Sequence, residues 1–226
     1  MTLIPKPKKS VSIWLVFSLI LFIFVTISVV KKSPWVNAFD LSISKAVRSF
    51  ASPGLTKFTL IFTSTLNPLQ TTVIVLLISG TLFYFKKKWQ SIFLLTNSLI
   101  IGFVINTLAK IIIARPRPGF KHLIHVSSYS YPSGHAMGAM LLFGSLIIII
   151  NSIFKKSARI ALVNILLGML IVLIGISRIY INVHYATDIL GDWSLGYVCL
   201  VISYWVFFKI GVKKNETNTK RPSNEP

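Results

Sequence analysis

Long uncharged apolar runs alternate along the chain with short segments rich in Lys, Arg and Pro. A run of about 20 apolar residues is long enough to cross a hydrocarbon core of about 30 Å as a helix. The pattern predicts an all-α polytopic membrane protein with six transmembrane helices in one domain, residues 11–210, between a short N-terminus (1–10) and a disordered tail (211–226). The predicted spans are residues 11–30, 68–85, 89–109, 135–154, 160–177 and 189–208.

The first apolar run has two interpretations. A basic segment precedes it, and Val36-Asn37-Ala38 loosely resembles a cleavage site, as in a secretory signal peptide. However, the run is longer than the 7–15 apolar residues usual in such a peptide, and Lys31-Lys32 lies where a cleavage region is normally neutral. We therefore favour an uncleaved membrane anchor.

Residues 33–67 are less apolar than the predicted spans. Asp40 is expected to cap a short helix, and Ser52-Pro53-Gly54 is expected to end it. The helix would carry apolar residues at helical spacing, namely Phe39, Ile43, Ala46, Val47 and Phe50. The segment predicts an element that lies on the membrane surface or re-enters the membrane, and its sequence indicates no function.

The amino-acid composition supports a membrane protein and argues against some kinds of binding partner. Apolar residues make up 54% of the chain, above the roughly 45–50% typical of soluble domains. The net charge of +19 would suit nucleic acid, but the cations lie between apolar runs and form no continuous stripe, so no nucleic-acid partner is expected. Cys199, the single cysteine, lies inside an apolar run, which argues against a disulfide framework or a thiolate metal site.

The distribution of cations predicts the orientation in the membrane. Lys86-Lys87-Lys88 and Lys155-Lys156 form tight links on the same side as both termini, and this side carries most of the cations. By the positive-inside rule both termini are cytoplasmic, and the links after spans three and five face the opposite side of the cell membrane. Those outer links are also basic, and the candidate chemistry below accounts for their charge.

The link between spans five and six contains Arg178, His184 and Asp188. His184 and Asp188 are four residues apart and would share one face of a helix. An aspartate beside an imidazole orients the ring and stabilises the positive charge that develops when the ring attacks, while an arginine can bind an oxyanion through two hydrogen bonds. The pattern indicates an active site; the alternative is an ordinary hydrogen bond between packed segments.

The link between spans three and four begins with the cations Lys110, Arg115 and Arg117. Pro116 and Pro118 restrain the backbone and favour a shaped loop. The alternative for this cluster is a juxtamembrane basic patch that binds lipid head groups.

The same link ends with Pro132-Ser133-Gly134-His135 at the start of span four. Serine is a good N-cap, glycine admits a close backbone approach, and free N–H groups at a helix start bind anions. His135 lies in the first turn, where it can protonate the leaving oxygen of a bound phosphate. The alternative is a plain helix cap with a histidine at the membrane interface.

Six-span topology brings these clusters, and Lys121 in the intervening loop, to one face, where they suit a tetrahedral dianion. Outside the tail the only acids are Asp40, Asp188 and Asp192, fewer than a two-metal phosphatase usually uses, so no metal or other cofactor is expected. Histidine chemistry remains: His184 attacks phosphorus, His135 protonates the departing oxygen, and water later cleaves the phosphohistidine.

Three segments in this order resemble the signature of the type 2 phosphatidic acid phosphatase superfamily. They are Lys110-(six residues)-Arg117-Pro118, Pro132-Ser133-Gly134-His135, and Ser177-Arg178-(five residues)-His184-(three residues)-Asp188. That family includes lipid phosphate phosphatases, bacterial phosphatidylglycerophosphatases, undecaprenyl pyrophosphate phosphatases and vanadium haloperoxidases. The resemblance covers the chain from about Asp40 to the end of span six and is closest to small bacterial membrane members.

The resemblance implies a six-helix core whose site faces outward and a role for each motif residue. Lys110, Arg117 and Arg178 would bind the phosphoryl oxygens with help from Ser133, Gly134 and, as a further candidate, Arg115. His135 would be the acid, His184 the nucleophile and Asp188 its orienting partner. Asp192 is expected to make a hydrogen bond within its own helix start, and His122 and His125 are expected to be loop residues.

The function predicted is hydrolysis of the terminal phosphate of a lipid phosphate or pyrophosphate, such as phosphatidylglycerophosphate, undecaprenyl pyrophosphate or phosphatidic acid. Two alternatives use the same anion pocket. One is a non-catalytic lipid-phosphate binding or transport protein, which has no need of a nucleophile oriented by an acid. The other is a vanadate-dependent oxidase, which the membrane context disfavours. The sequence indicates no oligomeric state.

Overall fold

A computed structural model of the chain describes residues 6–119, 122–124 and 126–219, with side chains described as far as residue 211. In these residues the only regular elements are helices. They are α1 (Lys9–Val30), α2 (Pro34–Arg48), α3 (Pro53–Ser64), α4 (Pro68–Tyr84), α5 (Lys88–Leu95), a π-helical turn (Thr96–Ile101), α6 (Gly102–Ile113), α7 (Gly134–Ile153), α8 (Ala158–Tyr180) and α9 (Ala186–Thr219).

The prediction of an all-α protein with six membrane spans is confirmed. Five helical segments of the described chain are long and apolar enough to cross a membrane, and one of them is continuous from α5 through the π turn to α6. A sixth candidate span is a bent pair, α3 and α4, whose axes differ by 55° across a short break, as in a broken span or a re-entrant loop. The predicted span at 68–85 coincides with α4, the second helix of this pair.

The bundle is built around α7, which packs against α6, α8 and α9, while α1 packs along α9. Side chains from α5 and α7, including Phe93, Leu94 and Met137, are fully buried in the largest core cluster. On the outer helix faces large apolar residues remain exposed, for example Leu77 at 67% and Ile112 at 79%. Such exposure is expected where the surrounding medium is lipid rather than water.

Residues 33–67 form two helices, α2 and α3, rather than one surface element. The predicted helical spacing holds for Phe39, Ile43 and Val47, which pack in one cluster with the start of α9. It fails for Ala46 and Phe50, which are exposed, and Phe50 lies beyond the end of α2 at Arg48. The prediction that Asp40 caps this helix is wrong, because α2 already begins at Pro34 and Asp40 lies inside it, almost completely buried. Ser52 instead caps α3 by accepting a hydrogen bond from the Leu55 N–H.

The last helix is longer than its apolar span. α9 continues to Thr219, and the first proline after the predicted end at residue 208 is Pro222. The tail predicted to be disordered from residue 211 therefore begins within the last turns of α9. Residues 220–226, and residues 1–5 of the N-terminus, lie outside the described residues.

The ends of four helices meet at one end of the bundle. α6 and α8 finish there, α7 and α9 begin there, and the connections 114–133 and 181–185 join them. The two basic links at 85–87 and 154–157 lie at the opposite ends of these helices. The fold thus brings the two links that carry the candidate chemistry to the same place.

Gly175 permits the close packing of α8 against α9. A Cβ atom at this position would lie 2.7 Å from Ile189 Cγ2 and 2.9 Å from Trp193 Cε2, too close for real carbon contacts. Gly168, on the same helix, has nothing within 4 Å of its Cβ position. The two glycines therefore differ in packing although they share a helix.

We expect Gly175→Ala to lower the free energy of unfolding, because overpacking of a tight contact typically costs about 1–3 kcal/mol. Gly168→Ala is the matched control and should leave stability unchanged or raise it by up to about 1 kcal/mol, through the higher helix propensity of alanine. Thermal unfolding of both variants in one detergent measures the difference. Equal melting temperatures would contradict the packing role of Gly175.

Candidate active site

The turn between α8 and α9 brings Arg178 and His184 together. Asn182 adopts a left-handed backbone conformation with φ of 64°, which asparagine tolerates better than most residues. This reversal lets the N–H groups of Val183 and His184 both reach the Arg178 carbonyl, at 3.2 and 3.3 Å. The two residues are thus fixed relative to each other by the backbone.

His184 lies between a carboxylate and a guanidinium. Its Nδ1 is 3.4 Å from Asp188 Oδ2, although the alignment is outside that of a hydrogen bond, and its Nε2 is 3.3 Å from Arg117 Nη1. A guanidinium can only donate, so Nε2 carries a lone pair and the ring proton is on Nδ1, facing the carboxylate. This is the tautomer that a nucleophilic Nε2 requires.

Burial lowers the pKa of His184 from 6.5 to about 4. Arg178 and Arg117 lower it further by charge repulsion, whereas Asp188 opposes the shift. The imidazole is consequently neutral at physiological pH, so its lone pair is available.

Asp188, in the first turn of α9, is fully buried and has four neighbours that hold its carboxylate. Oδ2 accepts from the Ser130 hydroxyl and from the Tyr185 N–H at 2.9 Å, and it also faces His184. Oδ1 accepts from Arg115 Nη1 at 2.5 Å. A carboxylate held on all sides keeps a fixed orientation toward the imidazole.

Arg115, a candidate phosphate ligand in the sequence, forms ion pairs with two carboxylates in the structure. Its Nη2 lies 2.7 Å from Asp40 Oδ2 and its Nη1 contacts Asp188, while the guanidinium stacks 4.0 Å above the Tyr185 ring. The sequence showed no carboxylate close to this cation because Asp40 is distant in the chain. Arg115 therefore links α2 to α9 instead of facing an empty pocket.

Lys110 and Arg117 meet on the same stretch of loop. Lys110 Nζ donates to the Tyr129 carbonyl at 2.9 Å, and Arg117 Nε donates to the Ser128 carbonyl at 2.7 Å. Ala114, with φ of 46°, ends α6 and turns the chain between the two cations. Neither cation forms an ion pair with a described carboxylate, so their charge can serve an anionic ligand.

Arg178 is buried and incompletely satisfied. It is 2% exposed, its Nη1 donates to the Thr63 hydroxyl at 2.8 Å, and its Nε has no partner. A buried guanidinium N–H without an acceptor is costly, and an oxyanion ligand would satisfy it. Burial also lowers the pKa of Arg117, and the Asp188 carboxylate opposes that shift.

The start of α7 carries Ser133, Gly134 and His135. The Ser133 hydroxyl accepts from the Ala136 N–H at 3.5 Å, as an N-cap does. The Ser133 N–H donates to both oxygens of Asp192, at 2.7 and 2.6 Å. The expectation that Asp192 bonds within its own helix is therefore wrong: the buried carboxylate reaches from α9 to the neighbouring helix start.

His135 is held from the break between α3 and α4. Its Nε2 lies 3.0 Å from Asn67 Oδ1. His135 and Gly134 line a cavity of about 430 Å³ together with Lys110, and this cavity continues between α4, α6 and α7 past Asn106. The cavity joins the cationic site to an apolar interior, an arrangement that a phosphate attached to an apolar group would fit.

Several residues that hold the site could not be assigned from the sequence. Asp40 offered a weak signal, as one of three acids outside the tail of a very basic chain. Thr63, Asn67 and Ser130 offered none, since threonine, asparagine and serine are common in any connection. Their roles depend on which residues the fold brings near them.

Three other sequence predictions concern the loop. His122 Nε2 lies 2.8 Å from the Pro118 carbonyl, in accordance with a loop role. Lys121 and His125 lie outside the described residues. Within the ranges that the structure describes, no three His, Cys, Asp or Glu side chains are grouped so that they could hold a metal ion.

Comparison with known proteins gives related sequences. Residues 91–211 match the family model described as the PAP2 superfamily. Phosphatidylglycerophosphatase B of Bacillus subtilis is 33% identical over 187 residues, which cover 79% of this chain and 88% of that protein. An undecaprenyl-diphosphatase of Sulfolobus acidocaldarius is 29% identical over 126 residues, covering 53% of this chain and 56% of that protein.

Comparison with solved structures gives the same fold. The crystal structure of a transmembrane PAP2-type phosphatidylglycerolphosphate phosphatase from Bacillus subtilis superposes with a TM-score of 0.78 at 29% identity. The match covers 87% of this chain and 96% of that one. Because the family match spans more than half of the residues and the bundle is shared, the chain belongs to the PAP2 superfamily.

Proposed function

We propose that this protein is a membrane lipid phosphatase that removes the terminal phosphate of a lipid phosphate or pyrophosphate through a phosphohistidine. Its family and its likeness to named phosphatases make it a lipid phosphate hydrolase. The observation that carries the mechanism is the placement of His184, with Nδ1 3.4 Å from Asp188 and Nε2 3.3 Å from Arg117. A carrier or binding protein has no use for an imidazole oriented in this way.

The first step is attack on phosphorus. The Nε2 lone pair of His184 forms the N–P bond as the P–O bond to the leaving group breaks, and Asp188 stabilises the positive charge on the ring. His135 begins this step with protons on both ring nitrogens. It gives one proton to the departing oxygen, which leaves as a lipid alcohol or lipid phosphate, and the ring becomes neutral. Lys110, Arg117 and Arg178 stabilise the equatorial oxygens of the transition state.

The second step returns the enzyme to its starting state. Water attacks phosphorus and transfers a proton to His135, the N–P bond breaks, and its electron pair returns to Nε2. Inorganic phosphate leaves, and His135 is again protonated for the next cycle. Each proton and electron pair is accounted for by residues of this chain and water.

Arg115 has a different role in this proposal from that of the three clamp cations. Its guanidinium contacts Asp40, Asp188 and Thr187, so it orients the carboxylate that orients His184. Ser133 contributes through its hydroxyl, because its N–H is taken by Asp192. The Gly134 N–H, at the start of α7, would bind a phosphate oxygen.

The substrates proposed are phosphatidylglycerophosphate, undecaprenyl pyrophosphate and phosphatidic acid. All three place a phosphate beside apolar chains, as the cavity beside His135 requires. The Bacillus subtilis relative that shares most of its length with this chain is named for phosphatidylglycerophosphate, which makes that lipid the first to test. Initial rates on the three lipids in one detergent would rank them.

We expect His184→Ala to abolish phosphate release, because the proposed N–P bond forms on Nε2 of this residue. Catalysis should fall by at least about 10³-fold, with the melting temperature in detergent close to that of the wild type. Wild-type activity should persist in EDTA, since the proposed steps use no metal. A His184→Ala protein that still turned over lipid phosphate would contradict the covalent route, and loss of wild-type activity in EDTA would contradict the metal-free one.

The acid side of the pH–rate profile should reflect the lowered pKa of His184. A histidine whose pKa falls from 6.5 to about 4 stays neutral, and therefore nucleophilic, down to that lower pH. After correction for titration of the substrate phosphate, kcat/KM should decline only as pH falls through about 4. A decline centred near 6.5, the pKa of a solvent-exposed histidine, would contradict the buried neutral imidazole.

The site is proposed to face the outside of the cell membrane, with both termini in the cytoplasm. In a Cys199→Ala background, Ser127→Cys in the site loop should react with a membrane-impermeant maleimide in intact cells. Ser157→Cys, in the link between α7 and α8, should react only after the cells are lysed. Both positions are exposed, so the reverse labelling pattern would invert the proposed orientation.

A further inference from the structure

Asn67 occupies an unusual position at the break between α3 and α4. It is the N-cap of α4, where an asparagine side chain normally accepts a hydrogen bond from an N–H of the first helical turn. Here the side chain makes no capping bond, and Pro68 follows it as the first residue of the helix. The Asn67 side chain is directed to His135 instead, with Oδ1 3.0 Å from Nε2.

This contact fixes the state of the imidazole. An amide oxygen only accepts hydrogen bonds, so Nε2 of His135 must carry its proton toward Asn67. Nδ1 is then the nitrogen that can exchange a proton with the leaving group or with water. Asn67 thus selects which nitrogen of His135 takes part in proton transfer, as the second partner of a histidine commonly does.

The two histidines of the site have chemically different partners. His184 faces the carboxylate of Asp188, which favours the positive ring that forms on attack. His135 faces a neutral amide, which holds the ring in place without favouring its charged form to the same extent. A group that must give up its proton in one step and take it back in the next is suited to the neutral partner.

The same break also supports the phosphate clamp. Thr63, one turn before Asn67, is 2% exposed and accepts from Arg178 Nη1 at 2.8 Å. The 55° bend between α3 and α4 therefore presents two polar side chains to the site, one to a clamp arginine and one to the acid. Two contacts from one irregular segment indicate that the bend is part of the scaffold of the site.

We infer that Asn67 is a positioning residue for the acid–base step: it holds His135 through Nε2 so that Nδ1 transfers the proton. This inference rests on the proposed phosphatase mechanism, in which His135 touches the leaving oxygen. Because the Asn67 side chain does not cap α4, its removal should change proton transfer more than stability.

The test compares two leaving groups on purified full-length protein in detergent. The alcohol that leaves phosphatidic acid needs a proton, whereas nitrophenolate leaves p-nitrophenyl phosphate without one. We expect Asn67→Ala to lower kcat/KM for phosphatidic acid by roughly tenfold or more, part of the 10²–10⁴-fold effect of a general acid. For p-nitrophenyl phosphate the loss in kcat/KM should stay below about threefold, because nitrophenolate departs without a proton. kcat/KM reports the steps up to that departure, so the later hydrolysis of the phosphohistidine does not affect it.

Two further variants separate positioning from structure. Asn67→Asp keeps an acceptor oxygen in place, but its carboxylate also favours the protonated ring, so it should recover only part of the activity on phosphatidic acid that Asn67→Ala loses. In a His135→Ala background, Asn67→Ala should cause no additional loss, because the two residues act as one unit. Thr65→Ala, an exposed residue of the same break, is the matched control and should behave as the wild type.

Three results would overturn the inference. They are an equal loss on both substrates in Asn67→Ala, no loss on either, and an undiminished additional loss in the His135→Ala background. Failure of the proposed function gives a different result, since wild-type protein would then release no phosphate from any of the three proposed lipids and His184→Ala would change nothing. That result would remove this inference together with the function on which it rests.

Discussion

A fully buried carboxylate is stable as an anion only if the protein supplies the hydrogen bonds and charge that water would otherwise provide. Asp188 satisfies this requirement with Arg115, the Ser130 hydroxyl and the Tyr185 N–H, and it faces His184 with the same oxygen that accepts from Ser130. These partners come from the two connections 114–133 and 181–185, and Arg115 also contacts Asp40 of α2. The need to neutralise one charge therefore ties together α2, both site loops and α9. The arrangement of the site depends on that neutralisation.

The cations of the site fall into two groups according to the partners they have. Arg115 contacts two carboxylates, Asp40 and Asp188, and its charge is used inside the protein. Lys110, Arg117 and Arg178 donate only to neutral oxygens or nitrogens among the described residues, and Arg178 Nε has no acceptor at all. The site therefore keeps a surplus of positive charge, which an oxyanion reduces on binding.

The apolar spans were predictable because a hydrocarbon core requires a minimum length of apolar helix. The charged links between the spans mark where each one ends. The motif residues could be singled out because histidine, arginine and aspartate are costly near a membrane, and the six-span topology predicted that their links meet at one end of the bundle, as they do. The sequence could not indicate that Asp40 is buried inside a helix or that the Asp192 carboxylate accepts a hydrogen bond at the start of another helix. Nor could it indicate that the Asn67 side chain contacts His135 instead of capping α4. Each depends on a contact between residues far apart in the chain, which periodicity does not report.

Tyr131 gives the first helix a part in this architecture. Its side chain is fully buried, in the loop segment between Ser130 and Ser133. The ring packs so closely on Gly191 that a Cβ atom at that position would overlap it. The hydroxyl forms a hydrogen bond of 2.7 Å with the Thr26 hydroxyl of α1. The first helix, whose composition resembles that of a secretory signal peptide, thus supports the loop between Arg117 and His135. Proteolytic loss of α1 would deprive the loop that leads into α7 of the hydrogen-bond partner of this buried phenol and of the α1 side chains that pack on it.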